Sequence, residues 1–320
     1  MQPPRLSPRA FRRLTLLAAL AVAFIIVTGG AVRLTGSGLG CPDWPTCDNE
    51  RIVAPIEYHA MVEFVNRTIT GLVSVAVILA VLGSLLRQPR RRDLTWLSLG
   101  LVGGVVGQII LGGLTVLFEL KPQFVMAHFL LSMVLLANAV VLHHRAGQPD
   151  GDFDGEGVVV RRVVPVDLVR MGWIVVVAAG LAVFLGTVVT GSGPHGGDPD
   201  VERLPLAVPD AARAHGAGVV LFLAVTVVTL LRLRKAGAPA SLLRAGEVLL
   251  AVSVAQAGVG YAQYFTGVPV LLVGIHIAGA AAVWGAAVRF RLAFTVRAPG
   301  GAAAAASGEP AADDQVLTRP

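Results

Sequence analysis

The 320-residue sequence predicts an all-α integral membrane protein: eight transmembrane helices arranged as two tandem four-helix bundles, with both termini cytoplasmic. Three observations predict this. The apolar residues fall in eight membrane-length runs, basic residues crowd into alternate connections, and an internal repeat relates the first four runs to the last four. Hydrophobic residues make up 55% of the chain and charged ones only 14%, with a mean hydropathy of +0.72. A water-soluble fold of this size needs more polar surface.

The runs lie at 14–32, 61–86, 94–118, 124–143, 171–190, 211–231, 242–265 and 270–290. Each approaches or exceeds the length of about 20 residues that crosses the hydrocarbon core as a helix. The first run, preceded by Arg12 and Arg13, has the look of a signal peptide. Removing it would leave seven spans and break the repeat, so it is kept as a helix. Flanking segments read as a disordered cytoplasmic tail (1–13), a cytoplasmic linker (144–170, with "QPDGDFDGEGV") and a low-complexity, disordered tail (292–320). The bundles then occupy 14–143 and 171–291.

With the connections numbered alternately inside and outside from an inside start, twenty of the 26 lysines and arginines fall inside. They include Arg5, Arg9, Arg12 and Arg13 before the first run, and Arg87 and Arg90 to Arg92 after the second. Arg33, Arg51, Arg67, Lys121, Arg203 and Arg213 are the exceptions, outside or at outer helix ends. This asymmetry is the positive-inside pattern. It accounts for the formal net charge of +6 as topology in a lipid bilayer, and nucleic acid is not a partner.

The repeat organises the polar residues. TGSG follows the first run at 35–38 and the fifth at 190–193. Gln108-x3-Gly112 in the third run matches Gln256-x3-Gly260 in the seventh, and twenty residues after each glutamine stands a histidine, His128 and His276. His215, heading the sixth run, precedes His276 by 61 residues; the same offset before His128 falls at Arg67 or, one residue away, Asn66. His128, His215 and His276 share one depth toward the outer side. Inward-facing histidines on facing helices of a four-helix bundle are a standard way to hold a metal or haem. A lone histidine near a helix end is more often hydrogen-bonded or interfacial; symmetry sets these three apart. His143 and His144 sit beside Arg145 at the inner end and His195 in a glycine-rich loop, so they stay with that ordinary reading. His59, seven residues before Asn66, would share its face if the second helix starts early.

Two further features carry chemistry. "MVEFVNRTITG" puts Glu63, Asn66 and Arg67 at the head of a span, where charge is costly and usually functional. The alternative for Glu63 and Arg67 is an ion pair with each other. Cys41 and Cys47, the only cysteines, lie in "CPDWPTC" on the oxidising side, where they read as a structural disulfide or a redox-active pair.

Together, eight spans in two repeats, the loop "TGSGLGCPDWPTC", an E-x-x-N-R in the second helix and histidines heading the fourth, sixth and eighth resemble the haem A synthase family, over nearly the whole chain. That resemblance implies oxidation of the C8 methyl of haem O to the formyl of haem A. It implies His215 and His276 as axial ligands of a haem b, His128 on the iron of the substrate haem, and Glu63 as the catalytic carboxylate. Asn66 and Arg67 would lie at the substrate haem, with Arg67 placed to pair with a propionate and His59 a further candidate ligand. Cys41 and Cys47 match the loop pair of members that have one. Many members carry histidine where this chain has Asn66. The implied partners are haem O synthase as donor, cytochrome oxidase assembly as acceptor of the product, and an unidentified electron acceptor in the membrane. A dihaem electron-transfer cytochrome explains the histidines equally well but leaves Glu63 without a task. A transporter built from parallel repeats leaves the matched histidines unexplained.

Overall fold

A computed structural model describes residues 5–48, 51–150 and 159–298. Its helices are α1 (Pro8–Leu34), α2 (Tyr58–Leu86), α3 (Arg92–Leu117), α4 (Pro122–Ala146), α5 (Val166–Ser192), α6 (Val208–Lys235), α7 (Ala240–Phe265) and α8 (Val270–Leu292). All eight are long and apolar enough to cross a membrane. Their starts follow local chemistry. Ser7 caps α1, accepting from Ala10 N at 3.2 Å, with Pro8 in the first turn. Prolines also open α4 and α6, and immediately precede α5, α7 and α8. The exposed side chains are those a lipid phase tolerates: Leu72, Trp96, Val177 and Leu271 are each at least 66% exposed.

Within α1–α4, α1 packs on α2 and α4, and α3 packs on the same two; within α5–α8, α5 and α7 each pack on α6 and α8. The diagonal pairs, α2 with α4 and α6 with α8, therefore face each other across the middle of each set. The two sets meet where α8 packs on α1 and α4, and Trp284 Nε1 donates to Met133 O at 2.7 Å across that seam. The turns α3–α4 and α7–α8 repeat residue for residue. Glu119 and Leu120 have φ of 51° and 57°, and Gly267 and Val268 have 80° and 60°. Leu120 N donates to Thr115 O and Val268 N to Gln263 O, both at 2.8 Å. Left-handed backbone at a leucine and a β-branched valine is strained, so the duplicated turn is held by its surroundings.

Two expectations of disorder are corrected. Residues 8–13 are helical, because the Ser7 cap and Pro8 start α1 six residues before the apolar run. Residues 295–298 form a strand, β2 (Thr295–Ala298), pairing antiparallel with β1 (Val159–Arg162) inside the supposed linker. Near it the charges are buried and paired. Arg87 and Arg91 are fully buried; Arg87 reaches Asp150 at 2.5 Å, and Asp93 joins Arg91 and Arg297, each at 3.0 Å. Leu6 pairs with the α2–α3 connection, its N donating to Leu86 O at 2.9 Å. The start of α1 and the chain after α8 thus reach the same end of the molecule. The expected disorder of 1–4 and 299–320, and the linker stretch 151–158, lie outside the described residues.

Candidate functional site

The histidines sit six or seven residues into their helices, about 10 Å of rise from each start. The structure explains the repeated glutamine and glycine around them. Gln256 Nε2 donates to His276 O at 2.8 Å, and Gln108 Nε2 to His128 O at 3.1 Å. Each glutamine spends its amide on the helix that carries the histidine. The glycines seat the rings: a Cβ at Gly260 would stand 3.0 Å from His276 Cε1, and one at Gly112 3.4 Å from His128 Cε1. Sequence reading missed the third seat, Gly186 on α5, whose Cβ would lie 3.2 Å from His215 Cε1. It has no counterpart in the first half, where Ala31 stands at the matching step before TGSG, so the repeat gave no signal.

His215 on α6 and His276 on α8 face each other with ring centroids 6.3 Å apart. His215 Nδ1 lies 3.0 Å from Ala182 O. A carbonyl only accepts, so Nδ1 carries the proton and Nε2 the free lone pair. Two metal–nitrogen bonds of about 2 Å each, plus roughly 1 Å from each nitrogen to its ring centre, span about 6 Å. The observed centroid separation is close to that figure. His128 Nδ1, His276 Nδ1 and, on the helix diagonal to His128, Asn66 Oδ1 are buried without a hydrogen-bond partner among the described residues.

Cys41 and Cys47 form a disulfide, and its loop is bound to the Glu63 carboxylate. Glu63 Oε2 accepts from Cys41 N at 2.8 Å, and Oε1 accepts from Arg67 Nη2 at 2.6 Å and Nε at 3.1 Å. Arg67 also donates to the carbonyls of Cys41 (3.0 Å), Asp43 (3.2 and 3.3 Å) and Thr46 (2.9 Å). Its guanidinium lies 5.1 Å from the centre of the Trp44 ring. Every nitrogen of Arg67 is therefore engaged by Glu63 or the loop. Trp44 in turn fills the space left by Gly113 on α3, where a Cβ would stand 2.5 Å from its Nε1. Gly113 is next in sequence to Gly112, which seats His128.

The other histidines have local partners. Helix α2 does begin early enough to include His59, whose Nδ1 lies 3.0 Å from Ser37 Oγ in the first TGSG. His143 Nδ1 meets Thr15 Oγ1 at 3.1 Å, and His144 Nε2 meets Gln148 Nε2 at 3.1 Å. His195 Nε2 donates to Val268 O at 2.9 Å.

Fold and site define a polytopic helical membrane protein with paired histidine seats inside it, one half carrying an acidic site under a disulfide loop. The family model COX15-CtaA, described as cytochrome oxidase assembly protein, matches residues 12–59 and 52–194, more than half of the chain, and the chain belongs to that family. Three relatives bear the name heme A synthase. The protein of Lysinibacillus sphaericus is 27% identical over 143 residues, 44% of this chain and 46% of its own length. That of Listeria monocytogenes is 24% identical over 177 residues, 55% of this chain and 57% of its own. That of Shouchella clausii is 29% identical over 135 residues, 42% of this chain and 45% of its own. The chain spans about half the length of the curated relatives it matches. The family match contains Cys41, Cys47, Glu63, Asn66, Arg67 and His128, and ends before His215 and His276.

Proposed function

We propose that this protein is a haem A synthase, an oxidoreductase that converts the C8 methyl group of haem O to the formyl group of haem A for a terminal cytochrome oxidase. The observation that carries the proposal is the pair of imidazoles at a metal-bridging separation, beside a first half that repeats the same glutamine and glycine seat around His128. Among the described residues no three His, Cys, Asp or Glu side chains converge on one point. A metal between His215 and His276 therefore needs its other positions filled by its own macrocycle, as in haem.

On this reading the chain divides into two four-helix halves. In residues 171–291, His215 and His276 would hold a haem b, and two strong imidazoles suit electron transfer. In residues 14–143, His128 takes the substrate haem. Asn66 stands where a second histidine would, and a carboxamide is a weak ligand, which leaves that iron with one strong protein ligand. The haem iron supplies the oxidising chemistry; the chain supplies placement. Glu63 presents a carboxylate beside the substrate site to take up protons as the methyl is oxidised or to stabilise positive charge on that carbon. Arg67 and the Cys41–Cys47 loop hold the carboxylate in place and shield it from water. His59 borders the site, tied to Ser37. The arginine-rich end faces the cytoplasm, in keeping with the positive-inside rule, and the haem sites lie toward the outer face of a bacterial cell membrane. Haem O synthase delivers the substrate, cytochrome oxidase assembly takes the product, and a membrane electron acceptor removes the electrons.

The test is to express the chain in cells supplied with haem O and chromatograph the extracted haems. Conversion of haem O to haem A, with a low-spin haem b retained by the protein, is expected. Bound haem b with unchanged haem O would make this an electron-transfer cytochrome instead.

A further inference from the structure

The sequence offered Arg67 as a partner for a haem propionate, but its nitrogens are all engaged by Glu63 or the disulfide loop. Two other arginines at that end are not so committed. Arg33 closes the last turn of α1; its Nη2 donates to Thr190 O at 2.6 Å, and its Nε is buried without a partner. Arg203, in the α5–α6 connection, donates from Nη2 to Pro194 O at 2.9 Å. The two side chains lie over consecutive glycines. A Cβ at Gly196 would overlap the Arg203 guanidinium, and one at Gly197 would stand 3.6 Å from Arg33 Cγ. Both guanidinium-bearing side chains therefore stand over the same two-residue stretch of the loop. Neither is in any ion pair among the described residues, although Asp198, Asp200 and Glu202 share the same connection. Two like charges fixed side by side by backbone carbonyls, with donors left over, form a clamp for an anion. Guanidinium forks match carboxylates best.

The location indicates which carboxylate. A Cβ at Gly30 would stand 2.9 Å from Ile277 Cδ1, and one at Gly274 3.5 Å from Leu34 Cδ1. The end of α1 therefore packs along the stretch of α8 that contains His276, and Arg33, within one turn of Gly30, reaches from the first half to Thr190 at the end of α5.

We propose that Arg33 and Arg203 hold the propionate carboxylates of the haem seated between His215 and His276. The proposal rests on the reading above that those imidazoles hold a haem. Because Arg33 belongs to α1, the clamp ties that haem to the catalytic half. A carboxylate at the protein edge is oriented by such partners, and cations beside a haem favour its reduced form.

The test is redox titration of the low-spin haem in the purified full chain, comparing wild type with Arg33→Gln, Arg203→Gln and Arg33→Lys. Each is measured in zwitterionic-lipid discs and again with anionic phospholipid added. Each glutamine variant is expected to favour the oxidised haem by at least about tenfold, a fall of about 59 mV for one electron. Arg33→Lys should recover part of that, and both lipid compositions should agree. A change under twofold with an intact spectrum would overturn the clamp and leave Arg33 as an anchor on Thr190. A change seen only with anionic phospholipid would assign the pair to a lipid phosphate and overturn it too. If Arg33→Gln fails to fold, Arg203→Gln carries the same expectation. A wild-type protein without haem would defeat the haem reading itself, and the clamp with it.

Discussion

Replacing Arg67 with glutamine should loosen the disulfide loop from the Glu63 carboxylate, and the size of the effect follows from the contacts. The guanidinium makes two hydrogen bonds to Glu63 Oε1 and four to the carbonyls of Cys41, Asp43 and Thr46. Glu63 is only 6% exposed, so the variant leaves a buried carboxylate with Cys41 N as its remaining donor among these contacts. Removing one partner of a buried ion pair costs about 3–5 kcal/mol; Arg67 is partly exposed, so the lower end applies. About 3 kcal/mol at roughly 1.4 kcal/mol per tenfold is a 100-fold rise in local opening. Cys41 and Cys47 are almost fully buried, so opening controls access of a reductant to the disulfide. Timed reduction with a small phosphine followed by thiol labelling should run roughly 100-fold faster in Arg67→Gln. The double variant Glu63→Gln/Arg67→Gln, with no stranded charge, should recover part of the protection. A rate within about threefold of wild type, or a double variant no better protected than Arg67→Gln alone, would refute the account of Arg67 as the clamp on the loop.

Three further outcomes are expected. Gly260→Ala and Gly186→Ala push on the rings of His276 and His215, and should shift or abolish the low-spin haem spectrum. Gly258→Ala, on the same helix as Gly260 but with open space at its Cβ, should leave the spectrum unchanged. Glu63→Gln should retain bound haem, by absorbance, while haem A falls to background in chromatographed extracts; an undiminished yield removes Glu63 from the reaction. Asp93→Ala leaves the buried Arg91 with Asp150 as its carboxylate and removes the Asp93 contact of Arg297. It should destabilise that end by about 1–2 kcal/mol, read as faster hydrogen exchange in 159–162 and 295–298, with the haem spectrum intact.

Much of this architecture is legible in one dimension because a bilayer imposes simple rules. Each span must be long, apolar and helical, so its place can be read from runs such as 61–86 and 242–265. The duplicated Gln-x3-Gly and histidine spacing also carried the histidine pairing, since residues at equal offsets occupy equal depths. Contacts between distant segments were not legible. Arg67 as a loop clamp depends on carbonyls of residues 41–46, and backbone oxygens look alike in any sequence. The strand at 295–298 needed a partner at 159–162, more than 130 residues away, and its own composition resembled a tail. Gly186 was silent because its function is only to lack a side chain beside His215.

The sequence by itself determined the eight spans, the crowding of arginines at one end and the common depth of His128, His215 and His276. Hydropathy, charge and helical rise are properties of local composition and count. Only the tertiary structure decided which side chains meet: the imidazoles of His215 and His276 at 6.3 Å, Glu63 under the Cys41–Cys47 loop, and Arg33 reaching from α1 to Thr190. Those meetings depend on how helices rotate about their axes and which neighbours they pack against. That choice is fixed by glycine gaps, buried donors and paired charges acting across the fold.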